Sequence, residues 1–200
     1  MKPLLIYGSQ DFGRVVRDLA EQCGETFAGY VDDWNMGDEI LGGYDTVHAQ
    51  CPPEAFRFAV AIGYKHLRAR WELTQRLLSD GYDIATLIHP RAYVRHPENI
   101  GQGAMIMAGA SVEFGAHVGA LGVLWNNAVV SHDSRVGENV FLAPNATLCG
   151  FTEVGAHSFI GAGAVIVDHQ SVPEGSFVRA GRVYSPKTST DPDVIRPFER

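Results

Sequence analysis

A histidine followed directly by an aspartate, His132 and Asp133, stands in the stretch V-V-S-H-D-S in the second half of the chain. Imidazole exchanges protons near neutral pH, so it suits a general base that takes a proton from an attacking amine or hydroxyl. A carboxylate beside the ring can fix its tautomer and raise its basicity. Surface histidines without a catalytic role are also common, so the pair by itself leaves both interpretations open.

The surroundings of this pair are a repeat with a period of six. Branched aliphatic residues occupy every sixth position over residues 100–172, and the side chain four positions later is usually small, with Val140 and Gln170 as exceptions. This period fits neither an amphipathic helix nor a plain hairpin sheet. It predicts a β-solenoid of about four coils, in which three hexapeptides form one coil of eighteen residues. His132 lies outside the aliphatic register, so core packing does not account for it.

The first part of the chain has a different pattern, in which strands and helices alternate. Apolar runs predict strands over residues 4–7, 27–31, 59–62 and 84–88. Apolar residues at helical spacing predict a helix that begins near Phe12 and another over residues 66–79. This alternation predicts a small, parallel-sheet, Rossmann-like α/β domain over residues 1–85.

The loop after the first strand, G-S-Q-D-F-G, resembles a dinucleotide-binding fingerprint but has Gln10 where the middle glycine belongs. Gly8 and Gly13 can still form the turn and the close helix contact. Asp32 follows the second strand, where a carboxylate can accept hydrogen bonds from a ribose. The loop therefore favours a nucleotide-sugar site over an NAD site. The alternative is a glycine turn with a purely structural role.

Composition limits the choice of partners and compartment. The net charge of −7 argues against a nucleic-acid partner, because phosphate binding needs a basic surface. Three scattered cysteines, Cys23, Cys51 and Cys149, indicate a reducing cytoplasm and no disulfide framework. No apolar run is long enough for membrane insertion, and no signal peptide is recognisable at the start.

Several motifs together resemble the bacterial sugar acyltransferases of the PglD/NeuD family. They are I-G-Q-G-A-M, V-G-E-N-V-F and I-G-A-G-A-V in the repeat, and Y-G-S-Q-D-F-G, V-D-D, A-I-G-Y, L-I-H-P and S-H-D-S along the chain. The resemblance implies that residues 86–184 form a left-handed parallel β-helix, the hexapeptide-repeat solenoid. It also implies a homotrimer, a nucleotide-linked sugar in the α/β domain and acetyl-CoA along the β-helix. The polar segment 185–200 is expected to be a poorly ordered tail.

The resemblance also assigns roles to individual residues. His132 corresponds to the catalytic histidine, with Asp133 as its acidic neighbour. Trp125 stands where many relatives have asparagine, and Phe12 replaces the histidine of their G-H-G loop, which leaves the sugar and the acylated atom open. The substrate-binding residues implied are Gly8, Gln10, Asp11, Phe12, Asp32, Asp33, Gly63, Trp125 and Asn126. The residues implied for acetyl-CoA are Phe141, Gly150, Gly161, Ala162 and Arg179, with Arg182 as a further candidate for its phosphates.

The function that follows is an acetyl-CoA-dependent N-acetyltransferase of a nucleotide-linked amino sugar in surface-glycan biosynthesis, with no metal. O-acetylation of the sugar is the nearest alternative. A γ-type zinc carbonic anhydrase would need a three-histidine site, for which His117, His132 and His157 are available. A sugar-nucleotide-binding scaffold without catalysis is a third alternative, against which the intact His132 and Asp133 pair argues.

Overall fold

The computed structural model of the protein describes residues 2–198. Contacts divide the chain into two units, Met1–Leu87 and Ile88–Arg200. The division falls two residues after the end of the α/β domain expected from the sequence. The first unit contains a parallel sheet, and Leu87, its last residue, begins the first strand of the solenoid formed by the second unit.

The first unit is a four-stranded parallel sheet with helices between its strands. Its elements are β1 (Leu4–Tyr7), α1 (Asp11–Gln22), β2 (Phe27–Val31), α2 (Tyr44–Gln50), β3 (Arg57–Val60), a 3₁₀ turn (Tyr64–His66), α3 (Leu67–Ser79) and β4 (Asp83–Ile84). The strand order is β2-β1-β3-β4, so the central strands β1 and β3 have a neighbour on each side. All four residues of β1 are buried, as expected for a parallel strand covered on both faces.

One local prediction for this unit was wrong, and one of its helices was not predicted. The apolar run over residues 84–88 is not one strand. Its first residue ends β4 in the parallel sheet, whereas Leu87 and Ile88 form β5 in a sheet of the second unit. Helix α2 was not predicted, because its seven residues bury only Tyr44 and Val47, too few for a clear helical period.

The second unit is a parallel β-solenoid of very short strands. In chain order they are β5 (Leu87–Ile88), β6 (Tyr93–Val94), β7 (Met105–Ile106), β8 (Ser111–Val112), β9 (His117–Val118), β10 (Val123–Leu124), β11 (Val129–Val130), β12 (Arg135–Val136), β13 (Phe141–Leu142), β14 (Thr147–Leu148), β15 (Glu153–Val154), β16 (Phe159–Ile160), β17 (Val165–Ile166), β18 (Ser171–Val172), β19 (Ser176–Val178), β20 (Val183–Tyr184) and β21 (Ile195–Pro197).

Three sheets form the sides of the solenoid. Sheet I is β21-β19-β16-β13-β10-β7-β5, sheet II is β20-β17-β14-β11-β8-β6, and sheet III is β18-β15-β12-β9. Paired strands are eighteen residues apart, as in Val130 with Leu148. Each coil therefore contains three hexapeptides, as the period of six predicted. The solenoid extends beyond residues 100–172 at both ends.

The inward residue of each strand is aliphatic and buried, and these residues form one continuous core. Small residues at the turns, such as Ala110 and Ala128, are fully buried beneath them. Val140 occupies a turn position where most coils have a small residue, and it is also fully buried. The larger side chain fills space in the core at that level.

Residues 185–198 of the expected tail are more ordered than their composition predicted, and residues 199–200 of that tail lie outside the described residues. Strand β21 pairs antiparallel with β19, and the adjacent Val194 is 6% exposed in the core. The apolar residues Val194 and Ile195 explain the difference, because they bury surface that a purely polar tail lacks. This strand covers the edge of sheet I, where β19 would otherwise have a neighbour only on the side of β16.

Candidate functional site

His132 and Asp133 lie at the corner where the chain passes from β11 in sheet II to β12 in sheet III. The Nδ1 atom of His132 is 3.1 Å from Oδ2 of Asp133, and the two side chains are 50% and 41% exposed. Asp133 has a φ of 58°, a conformation that aspartate tolerates better than most residues. The two side chains are therefore in contact, and their catalytic role stays a prediction.

Two glycines leave the space that the pair occupies. A Cβ atom on Gly150, one coil above His132, would lie 2.7 Å from both Cε1 and Nε2 of the imidazole. A Cβ atom on Gly115, one coil below Asp133, would lie 2.4 Å from its Oδ1 atom. Both contacts are too close, so a side chain at either position would displace a member of the pair.

Further neighbours hold the backbone of this corner. The amide of His132 donates a hydrogen bond to Oε2 of Glu113, at 3.1 Å. The buried Ser134 hydroxyl donates to the carbonyl oxygen of Cys149 in the next coil, at 2.8 Å. These contacts fix the chain immediately before and after the pair.

Two aromatic residues complete the corner. The Phe151 ring meets the His132 imidazole edge to face, with centroids 5.1 Å apart and planes at 88°. Its other side stacks on His169, at 4.8 Å and 3°. Glu113, Gly115 and Phe151 were not predicted from the sequence. The coil length could have identified them, because Glu113 lies eighteen residues before Ser131. Gly115 and Phe151 lie eighteen residues before and after Asp133.

The residues expected to bind acetyl-CoA do not lie together within one chain. Gly150 is at the corner of His132, between sheets II and III. Gly161, Ala162 and Arg179 follow β16 and β19, at the corner between sheets I and II. Trp125 and Asn126 follow β10 and also lie at the corner between sheets I and II. Arg182, which follows β19, lies at this corner too. The two groups are therefore on opposite edges of sheet II.

Two of these residues have structural roles that the sequence did not reveal. Phe141 is 1% exposed, so its side chain has no surface for the contact with acetyl-CoA that was expected. A Cβ atom on Gly161 would lie 2.4 Å from the amide nitrogen of Ala180, so glycine is needed for coil stacking. Arg179 is exposed and forms an ion pair with Asp193, with Nη1 of Arg179 3.6 Å from Oδ1 of Asp193.

The glycine loop of the first unit has the geometry expected from its sequence. Gly8 has a φ of 102°, and a Cβ atom on Gly13 would lie 2.1 Å from the carbonyl oxygen of Gly8. The two glycines thus allow the sharp turn and the close approach of α1 to β1. Gln10 precedes α1 and is exposed, and Asp11 forms an ion pair with Arg14.

Asp32 does not offer a free carboxylate to a ribose. Its Oδ2 atom accepts hydrogen bonds from the amide and hydroxyl of Ser9, at 3.1 and 2.6 Å. Its Oδ1 atom accepts from the amides of Trp34 and Asn35, both at 3.0 Å, and the Asn35 side-chain amide reaches both oxygens. Asp32 is 7% exposed. It connects the glycine loop to the loop after β2, and the expected hydrogen bond to a ribose has no unused acceptor.

The charge of Asp32 is stabilised by these contacts. Burial disfavours the charged carboxylate, but hydrogen bonds from the Ser9 hydroxyl and from the amides of Trp34, Asn35 and Ser9 outweigh it and lower the pKa to about 2. The carboxylate is therefore charged throughout the neutral range and holds both loops in place.

The other residues expected to bind the nucleotide sugar, Asp33, Gly63 and Phe12, have different environments. Asp33 accepts hydrogen bonds from the Tyr7 hydroxyl and from the Tyr44 amide. Gly63 precedes the 3₁₀ turn with an ordinary negative φ, and a Cβ atom there would meet nothing within 4 Å. Phe12 lies in the first turn of α1 and is partly buried.

A cleft of about 670 Å³ opens beside the glycine loop. Its walls include Ser9, Gln10 and Asn35, so the loops joined by Asp32 form part of its lining. Arg14 and Arg17 also line the cleft, where Arg14 is ion-paired with Asp11 and Arg17 with Glu39. Because Asp38 and Glu39 belong to the same lining, the cleft offers hydrogen-bonding groups and charges of both signs.

The three histidines considered for a zinc site have other surroundings. Nδ1 of His117 lies 3.0 Å from the carbonyl oxygen of Gly115, and Nδ1 of His157 lies 3.0 Å from the Asn139 side chain. Within residues 2–198, no three His, Cys, Asp or Glu side chains are grouped closely enough to hold a metal ion. Over the same residues, no helix combines the length and apolar character needed to cross a membrane.

Comparison with known proteins identifies both halves of the chain. Residues 3–75 match the family model of the PglD N-terminal domain, and residues 133–168 match the model of the bacterial transferase hexapeptide, six repeats. A GDP-perosamine N-acetyltransferase of Escherichia coli O157:H7 is 29% identical over 124 residues, which are 57% of this chain. The chain spans about half the length of that curated relative, 55%.

Solved structures extend the similarity to nearly the whole chain. The acetyltransferase domain of PglB from Neisseria gonorrhoeae is 30% identical, with a TM-score of 0.81 over 92% of this chain and 91% of that one. PerB from Caulobacter crescentus, solved with CoA and GDP-perosamine, is 30% identical, with a TM-score of 0.83 over 92% of this chain and 88% of that one. These matches confirm the predicted fold, an α/β domain followed by a left-handed parallel β-helix. The chain belongs to the PglD/NeuD family of hexapeptide-repeat sugar acyltransferases.

Proposed function

We propose that the protein is an acetyl-CoA-dependent N-acetyltransferase that acetylates the amino group of a nucleotide-linked sugar. The observation that carries the proposal is the exposed pair of His132 and Asp133, with Nδ1 of the imidazole 3.1 Å from the carboxylate. Two similar proteins support the choice of substrates, since one is named a GDP-perosamine N-acetyltransferase and the other was solved with CoA and GDP-perosamine.

The pair supplies the proton transfer that this reaction needs. When Nδ1–H of His132 donates to Asp133, Nε2 carries the lone pair that accepts a proton from the attacking amine. Asp133 then stabilises the positive imidazolium that results. The amine nitrogen forms a bond to the acetyl carbonyl carbon, the carbon–sulfur bond breaks, and the proton leaves with the thiol of CoA.

Gly150 is suited to the acetyl group. Within residues 2–198 its amide makes no hydrogen bond to another part of the chain, whereas the amide of His132 one coil below donates to Glu113. The Gly150 N–H therefore remains as a donor for the thioester oxygen, where negative charge develops during the attack. The acetyl donor would thus be held on the coil directly above the base.

The proposal includes a homotrimer. The outward residues of sheet II include Tyr93 and Val183, which are 57% and 51% exposed, together with Val129 and Val165. Ser111 and Thr147 complete this outward row, which is mostly apolar and so favours association. A closed ring of three copies would bring the corner of His132 in one copy towards the corner of Gly161 and Arg179 in the next, which would reunite the two groups of residues on opposite edges of sheet II. Light scattering should give about 65 kDa for a chain of 21.8 kDa.

The first unit is proposed to hold the nucleotide of the acceptor, in the cleft beside Ser9, Gln10 and Arg14. Their hydroxyl, amide and guanidinium groups suit a phosphate and a ribose. The proposal further places the enzyme in the cytoplasm, in surface-glycan biosynthesis. The three cysteines are odd in number and scattered along the sequence, a usage typical of proteins in a reducing compartment.

The test is a screen of UDP-, dTDP- and GDP-linked amino sugars with acetyl-CoA, in which the release of free thiol is followed. The matched control acceptor carries a hydroxyl at the position of the amine, so N- and O-acetylation are separated. His132→Ala is expected to reduce kcat about 10²- to 10⁴-fold with an unchanged trimer and melting temperature. Near-normal turnover by this variant on an identified acceptor would contradict the proposal.

A further inference from the structure

Phe151 has a backbone conformation that is unfavourable for its side chain. Within residues 2–198, eight residues other than glycine have a positive φ, and six of these are Asn, Asp or His, which tolerate it. The other two are Leu121 and Phe151. Leu121 is 2% exposed, so burial of its side chain offsets the strain. Phe151 is 48% exposed, so burial does not explain its presence.

The contacts of the Phe151 ring point to a reason. One side of the ring meets the imidazole of His132 edge to face, at 5.1 Å. The other side is stacked on the ring of His169, at 4.8 Å. The Phe151 amide also donates to the carbonyl oxygen of His132, at 3.1 Å, so the two residues are joined through backbone and side chain.

The other contacts of the imidazole limit its rotation only in part. Its hydrogen bond to Asp133 fixes Nδ1, and the ring occupies the space that a side chain at Gly150 would need beside Nε2 and Cε1. A half-exposed ring with one hydrogen bond still exchanges between rotamers unless a further contact limits it. An aromatic wall on one side selects the rotamer in which Nδ1 faces Asp133.

We propose that Phe151 is a positioning residue, which holds the imidazole of His132 in its productive orientation while His169 holds the Phe151 ring. The unfavourable φ of Phe151 persists because the ring is needed at this place on the corner. The inference rests on the proposed function, in which His132 is the general base. Phe151 itself takes no part in proton transfer.

The main test is Phe151→Asn, which keeps a residue suited to a positive φ and removes the ring. We expect kcat to fall about tenfold, the effect of losing one aromatic pair, with KM for both substrates changed less than twofold. The melting temperature should not decrease, because strain is relieved. Phe151→Tyr keeps the ring and should retain most of the activity. An unchanged kcat, a rise confined to KM, or a loss of kcat that follows a lower melting temperature would overturn the proposal.

His157→Asn is the matched control. His157 has the same φ as Phe151, 56°, but lies between β15 and β16 at another corner. Its replacement should leave kcat unchanged. His169→Asn provides a second variant, which leaves the Phe151 ring in place and removes its support. It should reduce kcat less than Phe151→Asn, and an equal or larger loss would contradict a role for His169 as support.

A spectroscopic readout tests the position of the ring without any acceptor. In protein labelled with ¹³C-histidine, the His132 resonance is assigned by its disappearance in His132→Ala. Phe151→Asn should move this resonance more than that of His117, because the ring current of Phe151 is lost. An unmoved resonance would overturn the inference. A moved resonance in a protein that acetylates no amino sugar would instead refute the proposed function and leave the positioning contact intact.

Discussion

Replacing Asp32 by asparagine should loosen the first unit of the chain without any change at its surface. Asparagine has one acceptor oxygen where Asp32 uses two, so the hydrogen bonds from Ser9 or those from Trp34 and Asn35 lose their partner. The lowering of the Asp32 pKa from 3.8 to about 2 corresponds to about 2 kcal/mol of stability. We expect Asp32→Asn to reduce the free energy of unfolding of this unit by about that amount.

The pH dependence has a defined sign. Because the pKa of Asp32 is lower in the folded protein than its ordinary value, its contribution is fully present above about pH 4 and is lost as the pH falls towards 2. The wild-type protein should therefore lose about 2 kcal/mol more stability over that interval than Asp32→Asn does. Above pH 5 the difference between the two proteins should be constant.

Hydrogen exchange read by mass spectrometry follows each unit separately. Peptides that cover β1, β2 and the loops after them should exchange faster in Asp32→Asn, whereas peptides of the solenoid serve as an internal reference. Asp38→Asn is the control variant, since Asp38 lines the same cleft and is exposed. Asp32→Asn, unlike the control, should also bind a sugar nucleotide more weakly, while both variants bind acetyl-CoA normally. If Asp32→Asn and Asp38→Asn exchange alike, or if wild-type stability is flat between pH 4 and 2, the assigned role of Asp32 is wrong.

Two further predictions concern glycines of the solenoid. Gly150→Ala should reduce kcat at least tenfold in the acetyl-transfer assay, because the new Cβ atom would lie 2.7 Å from Nε2 of His132 and turn the ring away from Asp133; normal kcat would contradict this arrangement of the ring. Gly161→Ala should lower the free energy of unfolding by about 1–3 kcal/mol, measured by thermal or urea unfolding, because its Cβ atom would lie 2.4 Å from the Ala180 nitrogen. Unaltered stability would show that the coils separate there without strain.

The sequence predicted the solenoid well because one physical requirement repeats in every coil. Each two-residue strand has one inward side chain, so residues such as Val130 and Leu148 must both be aliphatic and must lie eighteen positions apart. The same spacing explains which neighbours of His132 and Asp133 could be predicted from the sequence. Gly150 is His132 plus eighteen and Gly115 is Asp133 minus eighteen, so both neighbours follow from the coil length once it is known.

Other features could not be predicted from the sequence because they depend on loop conformation. The two aspartates after β2 have the sequence of a ribose site, but Asp32 is saturated by amides whose positions only the folded loop defines. The apolar run over residues 84–88 has no internal signal for its division between two sheets. Phe141 has the register of an outward residue, and nothing in its local sequence indicates that it is buried.

The coil of eighteen residues also restricts how the length of this chain can change. An insertion or deletion of one hexapeptide before His132 would move the corner of His132 by one side of the solenoid and place it on a different edge. A change of eighteen residues would keep the edge and move the corner along the axis by one strand spacing, about 4.8 Å. A change of any other length must lie in a loop at a corner. Otherwise the aliphatic residues after it would no longer point into the core. Viable length variants of this enzyme should therefore differ by whole coils or by loops that leave the count of six intact.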